Sequence, residues 1–406
     1  MLKITMSGQK LIVIGAGISG ITAAINAKKL GYDVLVLEFN EYPGGIIDTD
    51  HKEIPIEFGA HSFYNSYKNC LKLIKDSAFE DQIVEKKKLP FLFDGNDHFI
   101  SIFKCLKKIP MAIGMIKWYL ISRSGQSVGT YYANIFGQYN YQNVLKYCFN
   151  AVLSQDAHDF PADLLFNVKK RDKSLPRCFS FKNGIRSFIQ HLINYHQLNI
   201  KYSTQVKQIV RDNGEIVLMT HAGKFKADKL VIASNVDTAS HLLKDLNPQA
   251  SKLLKNIPIS RLLSCAVEIN SSEIDIPSLA GIIGSKDSSF FSIVSSDPFI
   301  HPGSKSRGFV VHFKSSNGLS KEQIIQMLCA IFKVKQEAIL DIKIKEQSVP
   351  MLKIGHQNLV KKIDAAMNQS NIYLTGNYFN RLAVEDCVER SLSLPLKTKK
   401  PAEAGL

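Results

Sequence analysis

The sequence predicts an α/β fold: a Rossmann-like, doubly wound parallel sheet with an interleaved α+β part and a helical region. Three observations predict it. Residues 10–38, KLIVIGAGISGITAAINAKKLGYDVLVLE, run as an apolar strand, a glycine-rich turn, an Ala/Ile-rich helix and a second apolar strand ending in an acid. That is the order of a dinucleotide-binding βαβ unit. A buried apolar run at 230–234, LVIAS, reads as a strand returning to the same sheet, and 371–392 repeats the strand, glycine turn and helix of the opening.

Each glycine of the first unit has a physical reason to be there. Gly15 permits the tight turn off the strand, Gly17 lets backbone approach a pyrophosphate, and Gly20 lets helix pack closely on sheet. With Ala16, Ile18 and Ser19 they form a turn whose helix start offers free N–H groups and a positive dipole end to phosphates. Glu38 lies 18 residues after Gly20, where a carboxylate can accept hydrogen bonds from a ribose hydroxyl pair. It would repel a 2′-phosphate, which disfavours NADP. These residues alone leave FAD and NAD both open.

At 406 residues, 45% hydrophobic and 21% charged, the chain has room for two or three globular domains. The opening MLKITMSGQK runs straight into the first strand, so no cleavable signal peptide is expected. No window offers the roughly 18 uncharged apolar residues of a spanning helix. Seven cysteines without a CxxC pair argue against a disulfide framework or a metal site and for a reducing, cytoplasmic location. A net charge of +15 and a pI near 9.3 imply an anionic partner: nucleic acid, acidic lipid or a carboxylate-bearing substrate. The lysines are spread without interleaved aromatics and no nucleic-acid module is legible, so a solvated lysine-rich surface is expected and a nucleic-acid partner is not.

After Glu38 comes a second glycine pair, Gly44-Gly45, and residues 54–58 read as a short strand leading into Gly59, Ala60 and His61. Pro43-Gly44-Gly45 reads either as a tight turn or as a second backbone approach to the cofactor. An acid-ended strand, a GG pair, then an acid and a glycine a dozen residues on resemble the start of the flavin-containing amine oxidase and protoporphyrinogen oxidase superfamily. That resemblance implies FAD. It adds Phe39, Gly44, Gly45, Ile46, Gly59, Ala60 and His61 to the expected cofactor contacts.

Residues 69–85 read as an amphipathic helix with Leu71, Ile74 and Phe79 toward the core. Lys86-Lys87-Lys88 and a Phe91-Leu92-Phe93 strand follow, then an apolar stretch at 99–121 studded with Lys104, Lys107, Lys108 and Lys117 and interrupted by Pro110. Two readings stand for it: a pair of buried cap helices, or a basic apolar surface facing a greasy substrate or the inner face of an anionic membrane. Residues 126–150 are helical and Tyr-rich, the tyrosines read as packing residues. The succession Ser127-Val128, Phe136-Gly137, Asp159 with Pro161, and Phe181-Lys182-Asn183-Gly184-Ile185 resembles protoporphyrinogen oxidases. Asn183 replaces a glycine and Ile185 a methionine in the last turn; Asn tolerates left-handed backbone, so the turn is expected to survive. Strands and turns fill 198–236 with a hairpin at Asp212-Asn213-Gly214, and the resemblance gives the backbone of Val206 to the adenine. Between 237 and 349 a mixed sheet is expected as the floor of a substrate cavity, with no catalytic residue legible.

At the end, Ile354-Gly355-His356, Tyr373-Leu374-Thr375-Gly376 and Asp386-Cys387-Val388 again resemble the protoporphyrinogen oxidases. The resemblance puts Gly376 and Asn377 on the pyrophosphate and ribityl chain, and Ala383 and Val384 at the flavin pyrimidine; His356 reads as structural. Three departures stand out: Lys86 to Lys88 where the family has a propionate-binding Arg, Asn380-Arg381-Leu382 for a glycine-rich helix start, and a polar ending SLPLKTKKPAEAGL. The expected division is 1–85, 176–240 and 351–395 for FAD, 86–175 for the helical cap or membrane-facing region, 241–350 for substrate, and 396–406 for a disordered tail. The expected activity is that of an FAD-dependent oxidase acting on a porphyrinogen or a similar small apolar, carboxylated substrate, with oxygen as acceptor. The alternatives are an amine or amino-acid oxidase or desaturase on the same scaffold, and a flavin-holding protein without turnover. Oligomeric state, a dimer included, is left open.

Overall fold

A computed structural model describes residues 8–50, 54–95, 98–166, 169–299, 303–314, 318–368 and 370–396. The chain divides into two compact units. One takes the residues up to Gly45, Ile189–Asn256 and the chain from Gln357; the other takes Ile46–Phe188 and Ile257–His356.

The first unit is built on a parallel sheet which, among the described residues, has the order Asn199–Lys201, Asp33–Leu37, Lys10–Ile14, Lys229–Ile232, Ile372–Leu374. Its central strands are buried along their length, which is why they read as continuous apolar runs rather than alternating ones. The Ile18–Lys29 helix buries its Ala and Ile residues, and the Val384–Leu392 helix packs beside it. Three antiparallel strands, Val206–Asp212, Glu215–Thr220 and Gly223–Ala227, form a separate sheet. The first hairpin turns at Asn213 and Gly214, both with positive φ (49° and 85°), the backbone of a type I′ turn.

The second unit carries a sheet in the order Ile339–Pro350, Ile259–Asn270, Ser306–Phe313, Phe290–Ser295, Gly281–Ile283, Phe91–Asp94, Phe99–Ser101. It is mixed, because Gly281–Ile283 runs parallel to Phe91–Asp94 while the other pairs are antiparallel. Alternation along Ser306–Phe313 puts Phe309, Val311 and Phe313 into a core with Leu328 and Phe332 of the Lys321–Phe332 helix. Val310 and His312 take the opposite face.

The units divide the chain elsewhere than the sequence suggests. Residues 46–85 join the second unit because Thr49–Asp50 pairs with Ile56–Glu57, and Phe63–Tyr64 and Ile83–Glu85 pair with Cys178–Phe181. Residues 241–256 stay with the first, where the Val236–Leu243 and Pro248–Lys255 helices pack together and Asn247 donates to the carbonyl of Ala366 at 2.7 Å. The expected 69–85 helix ends at Asp76, two residues before Ala78 takes φ 54°, although Leu71, Ile74 and Phe79 are buried. The 54–58 strand shrinks to Ile56–Glu57. Pro110 interrupts nothing: it occupies the first turn of the Lys108–Leu120 helix, where its missing N–H has no intrahelical partner to lose. That helix is not buried either; among its residues Gly114 alone is fully enclosed. In the turn before the Gly184–Tyr195 helix the left-handed residue is Gly184 (φ 73°), so Asn183 needs no unusual backbone. Leu394 and Leu396 are buried, and the Leu396 carbonyl accepts Tyr32 Oη at 2.6 Å and Lys229 Nζ at 3.1 Å. Residue 396 is therefore packed structure, and the remainder of the expected tail, 397–406, lies outside the described residues.

Candidate active site

In the first unit, Ile14 is level with Leu37 on one side and Ile232 on the other, and Ile232 with Leu374. Four strands therefore end on one edge, and Gly15, Glu38, Ala233 and Thr375 leave the sheet side by side. The carboxyl edge of an open parallel sheet is where such folds bind ligands. Gly15 has φ 102°, and its N–H donates to Leu37 O at 2.8 Å. A Cβ on Gly20 would sit 1.9 Å from Gly15 O, so only glycine lets the helix lie this close. The two glycine pairs meet: Gly44 N–H donates to Ala16 O at 3.0 Å, Gly17 bridges to Gly44, and a Cβ on Gly45 would lie 3.6 Å from Gly17 Cα. The Ile18–Lys29 helix begins with no side-chain cap and no acid in its first turn, leaving its positive end open to an anion.

Glu38 is buried and braces this cradle. One carboxylate oxygen accepts Ala16 N–H at 2.6 Å, the other Asn40 N–H and Nδ2, both at 2.9 Å. A carboxylate has about four acceptor sites, so three donors leave room for a ribose hydroxyl. Thr204 N–H donates to Glu38 O at 2.7 Å, which holds Val206, two residues on, near the same strand end. Gly376 follows the last parallel strand, a Cβ there meeting the Tyr378 ring at 2.6 Å. Ala383 caps the Val384–Leu392 helix, and the Cys387 thiol hydrogen-bonds Ser19. Of the sequence-predicted residues, Gly15, Ala16, Gly17, Ile18, Ser19, Gly20, Glu38, Gly44, Gly45, Val206, Gly376, Asn377, Ala383 and Val384 thus belong to one unit. Phe39 is there too, but 64% exposed, outside the packed cradle. Ile46, Gly59, Ala60 and His61 belong to the second unit, where Gly59 lies on Ile46 so closely that a Cβ would come 2.4 Å from the Ile46 carbonyl oxygen.

The second unit holds a cavity of about 500 Å³ walled by Ile54, Ile56, Phe181, Val294, Phe299 and Val310, with Glu57, His61 and Lys86 on its lining. Glu57 receives Thr49 Oγ1 at 2.8 Å and Ile185 N–H at 2.7 Å, so it ties the Ile56–Glu57 strand to the start of the Gly184–Tyr195 helix. Burial pushes its carboxyl up to about 7 against those two hydrogen bonds. Lys86 Nζ donates to Ser62 Oγ at 3.2 Å and lies 5.8 Å from the Phe299 ring centre, and burial lowers its pKa.

His61 meets a chain of partners. Its Nε2 is 3.3 Å from His312 Nε2, His312 Nδ1 is 2.9 Å from Ser264 Oγ, Ser264 Oγ donates to Gln347 Oε1 at 3.0 Å, and Gln347 Nε2 donates to Ile46 O at 3.4 Å. The amide at the far end fixes the direction of the whole chain. Because Ser264 gives its proton to Gln347, it accepts from His312 Nδ1–H; His312 Nε2 then accepts from His61 Nε2–H, and the unprotonated nitrogen of His61 is Nδ1. Both rings are held neutral at pH 7: burial lowers His312 to about 4, and burial, His312 and Lys86 together keep His61 well below the usual imidazole range. Sequence reading found His61 and saw Lys86 only as a departure from the family; Glu57, Ser264, His312 and Gln347 escaped it. The period-2 alternation of GFVVHFK puts His312 on the face of Val310 and opposite the Phe core, a signal that could have flagged it.

Two family models match the chain: an NAD(P)-binding Rossmann-like domain over residues 13–76 and a flavin containing amine oxidoreductase over residues 121–392. The second spans well over half of the sequence. The chain belongs to the flavin containing amine oxidoreductase family. Coproporphyrinogen III oxidase of Propionibacterium freudenreichii subsp. freudenreichii is 31% identical over 106 residues, 26% of this chain and 19% of that protein. Zeta-carotene desaturase of Solanum lycopersicum is 30% identical over 80 residues, 19% of this chain and 14% of that protein. The chain therefore matches less than a fifth of the length of these curated relatives. Among solved structures, a protein assigned as a protoporphyrinogen oxidase from Exiguobacterium sp. 255-15 superposes with a TM-score of 0.78 at 16% identity, covering 96% of this chain and 98% of that one. At that identity the likeness shows a shared fold. By family this flavin amine oxidoreductase is an FAD-dependent enzyme. Its cradle fits the cofactor: glycine-only close approaches, an uncapped helix end for the pyrophosphate, and a buried carboxylate with an acceptor site to spare.

Proposed function

We propose that this flavin amine oxidoreductase oxidises an apolar, carboxylate-bearing substrate of porphyrinogen type, with oxygen as the final electron acceptor. Bound FAD supplies the hydride-accepting N5 and the route to oxygen; the chain's own residues bind and orient the substrate and keep water away. The observation that carries the reading is Lys86. A cation pressed against apolar walls and weakened by desolvation gains most from an anionic partner, and a carboxylate on an otherwise apolar molecule supplies one. An amine would need the reverse, a carboxylate free to receive it, whereas Glu57 is already engaged by Thr49 and Ile185 and half protonated near neutral pH. His61 adds a neutral ring nitrogen able to take a proton, its tautomer held from behind by His312 and Ser264. The match to coproporphyrinogen III oxidase supports the same substrate class.

The matches to carotenoid desaturases favour a second reading, an isoprenoid hydrocarbon in the same cavity. The apolar walls suit either; Lys86 separates them, since a hydrocarbon gains nothing from a cation. The test is to mix the purified holoprotein anaerobically with coproporphyrinogen, protoporphyrinogen, a carotene and a panel of amines, and to follow the flavin absorbance. Bleaching by a porphyrinogen, with the half-saturating concentration raised about tenfold in Lys86→Met at unchanged flavin content, is the expected result. Bleaching by the carotene or an amine and by neither porphyrinogen refutes it.

A further inference from the structure

Ser62 and Lys86 are 24 residues apart in sequence, and one strand brings them together. Cys178–Phe181 pairs on one side with Phe63–Tyr64 and on the other with Ile83–Glu85, so Ser62 and Lys86 extend its two neighbours. Lys86 N–H donates to Cys178 O and Lys87 N–H to Pro298 O, both at 3.0 Å. The lysine backbone is thereby clamped between that strand and the Asp297–Phe299 turn, whose Phe299 ring faces the ammonium.

The Ser62 hydroxyl has a single proton, and it goes to the carbonyl oxygen of His61 at 2.6 Å. Toward Lys86 it can therefore only accept, and the ammonium donates to it at 3.2 Å. Ser62 thus holds the backbone of His61 and the charge of Lys86 at once, on one cavity wall. An ammonium has three donors. One is spent on Ser62, and no carboxylate among the described residues faces the others. The titratable and charged groups around this wall are Glu57 and Lys182 on the same lining, His312 behind His61, and Cys178 and Tyr64, bonded to each other, on the strand side of Lys86. Besides burial, the groups that oppose a proton on His61 are His312 and Lys86. His312 is neutral at pH 7, so the standing opponent is the Lys86 charge.

We propose that Ser62 is a positioning residue that ties the anion anchor to the proton acceptor: it holds the Lys86 charge against His61, so that His61 takes a proton from the substrate only after a substrate carboxylate has neutralised Lys86. In that step a substrate C–H bond breaks with its electron pair going to the bound flavin, an N–H bond breaks with its proton going to His61 Nδ1, and the pair left on nitrogen closes the new double bond. An apolar molecule without a carboxylate would enter the cavity and leave the acceptor weak. The inference rests on the proposed substrate class through the carboxylate alone.

The experiment follows the His61 ring by NMR from pH 4 to 8 in holoprotein carrying 13C-labelled histidine, its signal identified among the 11 histidines by its loss in His61→Gln. The probes are benzoate and its uncharged analogue benzamide. In the wild type, benzoate should raise the His61 titration midpoint by about one pH unit, the effect of cancelling one nearby charge in a partly wet cavity, and benzamide should leave it in place. This arm needs no substitution. Lys86→Met should start about as much higher without any probe, and benzoate should add nothing. Ser62→Ala should start between the two and lose at least half of the benzoate shift, while Ser62→Thr, which keeps the hydroxyl, should behave as wild type at equal flavin content. A His61 that benzoate does not move in the wild type, that it moves equally in Lys86→Met, or that behaves alike in Ser62→Ala and wild type overturns the proposal. Coproporphyrin and its tetramethyl ester form the last arm. If benzoate moves His61 and coproporphyrin does not, the coupling stands and the porphyrinogen reading falls.

Discussion

Glu57 and His312 should give the protein two pH dependences of opposite sign. Glu57 is buried, and its carboxyl moves from 4.5 to about 7 on folding. Between those values the folded state binds a proton that the unfolded chain has released, so this contribution is present in full below pH 4.5 and is lost as pH rises through 7. The gap is about 2.5 units, or about 3 kcal/mol at 1.36 kcal/mol per unit. His312 behaves the other way. Its folded value falls from 6.5 to about 4, so the unfolded chain binds the proton first, and stability present above pH 6.5 is lost as pH drops toward 4, again by about 3 kcal/mol. His61, held down by the same burial, adds to the acid side. Glu57→Gln keeps an acceptor for Ile185 N–H and an amide that Thr49 Oγ1 can accept, and His312→Gln keeps a donor toward Ser264. Urea unfolding of the holoprotein from pH 4 to 8 is the assay. The stability of Glu57→Gln relative to wild type should climb by about 3 kcal/mol between pH 4.5 and 7. That of His312→Gln should climb by about as much when pH falls from 6.5 to 4, on top of a constant loss from the broken hydrogen bonds. A difference curve that is flat for Glu57→Gln, or that has the same sign for both variants, refutes the assignment of a proton to buried Glu57 and of neutrality to His312.

Three further outcomes are expected. Gly20→Ala forces a methyl to 1.9 Å from Gly15 O, so the first helix must lift off the sheet; the purified variant should lack flavin absorbance and lose about 3 kcal/mol or more in stability. Glu38→Ala removes the brace on the Ala16 and Asn40 amides together with the proposed ribose acceptor, and FAD affinity measured by calorimetry on reconstituted apoprotein should fall at least tenfold, about 1.4 kcal/mol. Gly184→Ala places a Cβ 2.3 Å from Thr49 and 2.8 Å from a Glu57 carboxylate oxygen at φ 73°, and should cost about 2 kcal/mol while leaving the glycine cradle of the first unit, and hence flavin content, in place.

The cofactor half of the protein is legible along the chain because its chemistry is local. Gly15, Gly17, Gly20 and Glu38 sit within one βαβ unit, and the spacing of turn, helix and acid is imposed by a single strand-to-strand crossover, so pattern alone specifies an α/β dinucleotide fold. Resemblance at Gly44-Gly45 and at the Gly376 turn narrowed that to FAD, and the family match agrees. Where local pattern had to compete with long-range pairing it failed: residues 46–85 follow the glycine pair in sequence yet pair with Cys178–Phe181 in the other unit, and Pro110 reads as a breaker until the first turn of its helix is located. The face of the Lys108–Leu120 helix had two readings in sequence, and only packing decides between them, since burial depends on whether a neighbour arrives. The cavity is the clearest case. His61 and His312 are 251 residues apart, and their neutral, directed pairing through Ser264 to Gln347 exists only because three strands of a mixed sheet bring those side chains to one face. The sequence by itself determines the fold class and the glycine-rich βαβ unit; the tertiary structure decides which titratable groups meet, because desolvation and hydrogen bonding are properties of surroundings that no single stretch of chain contains.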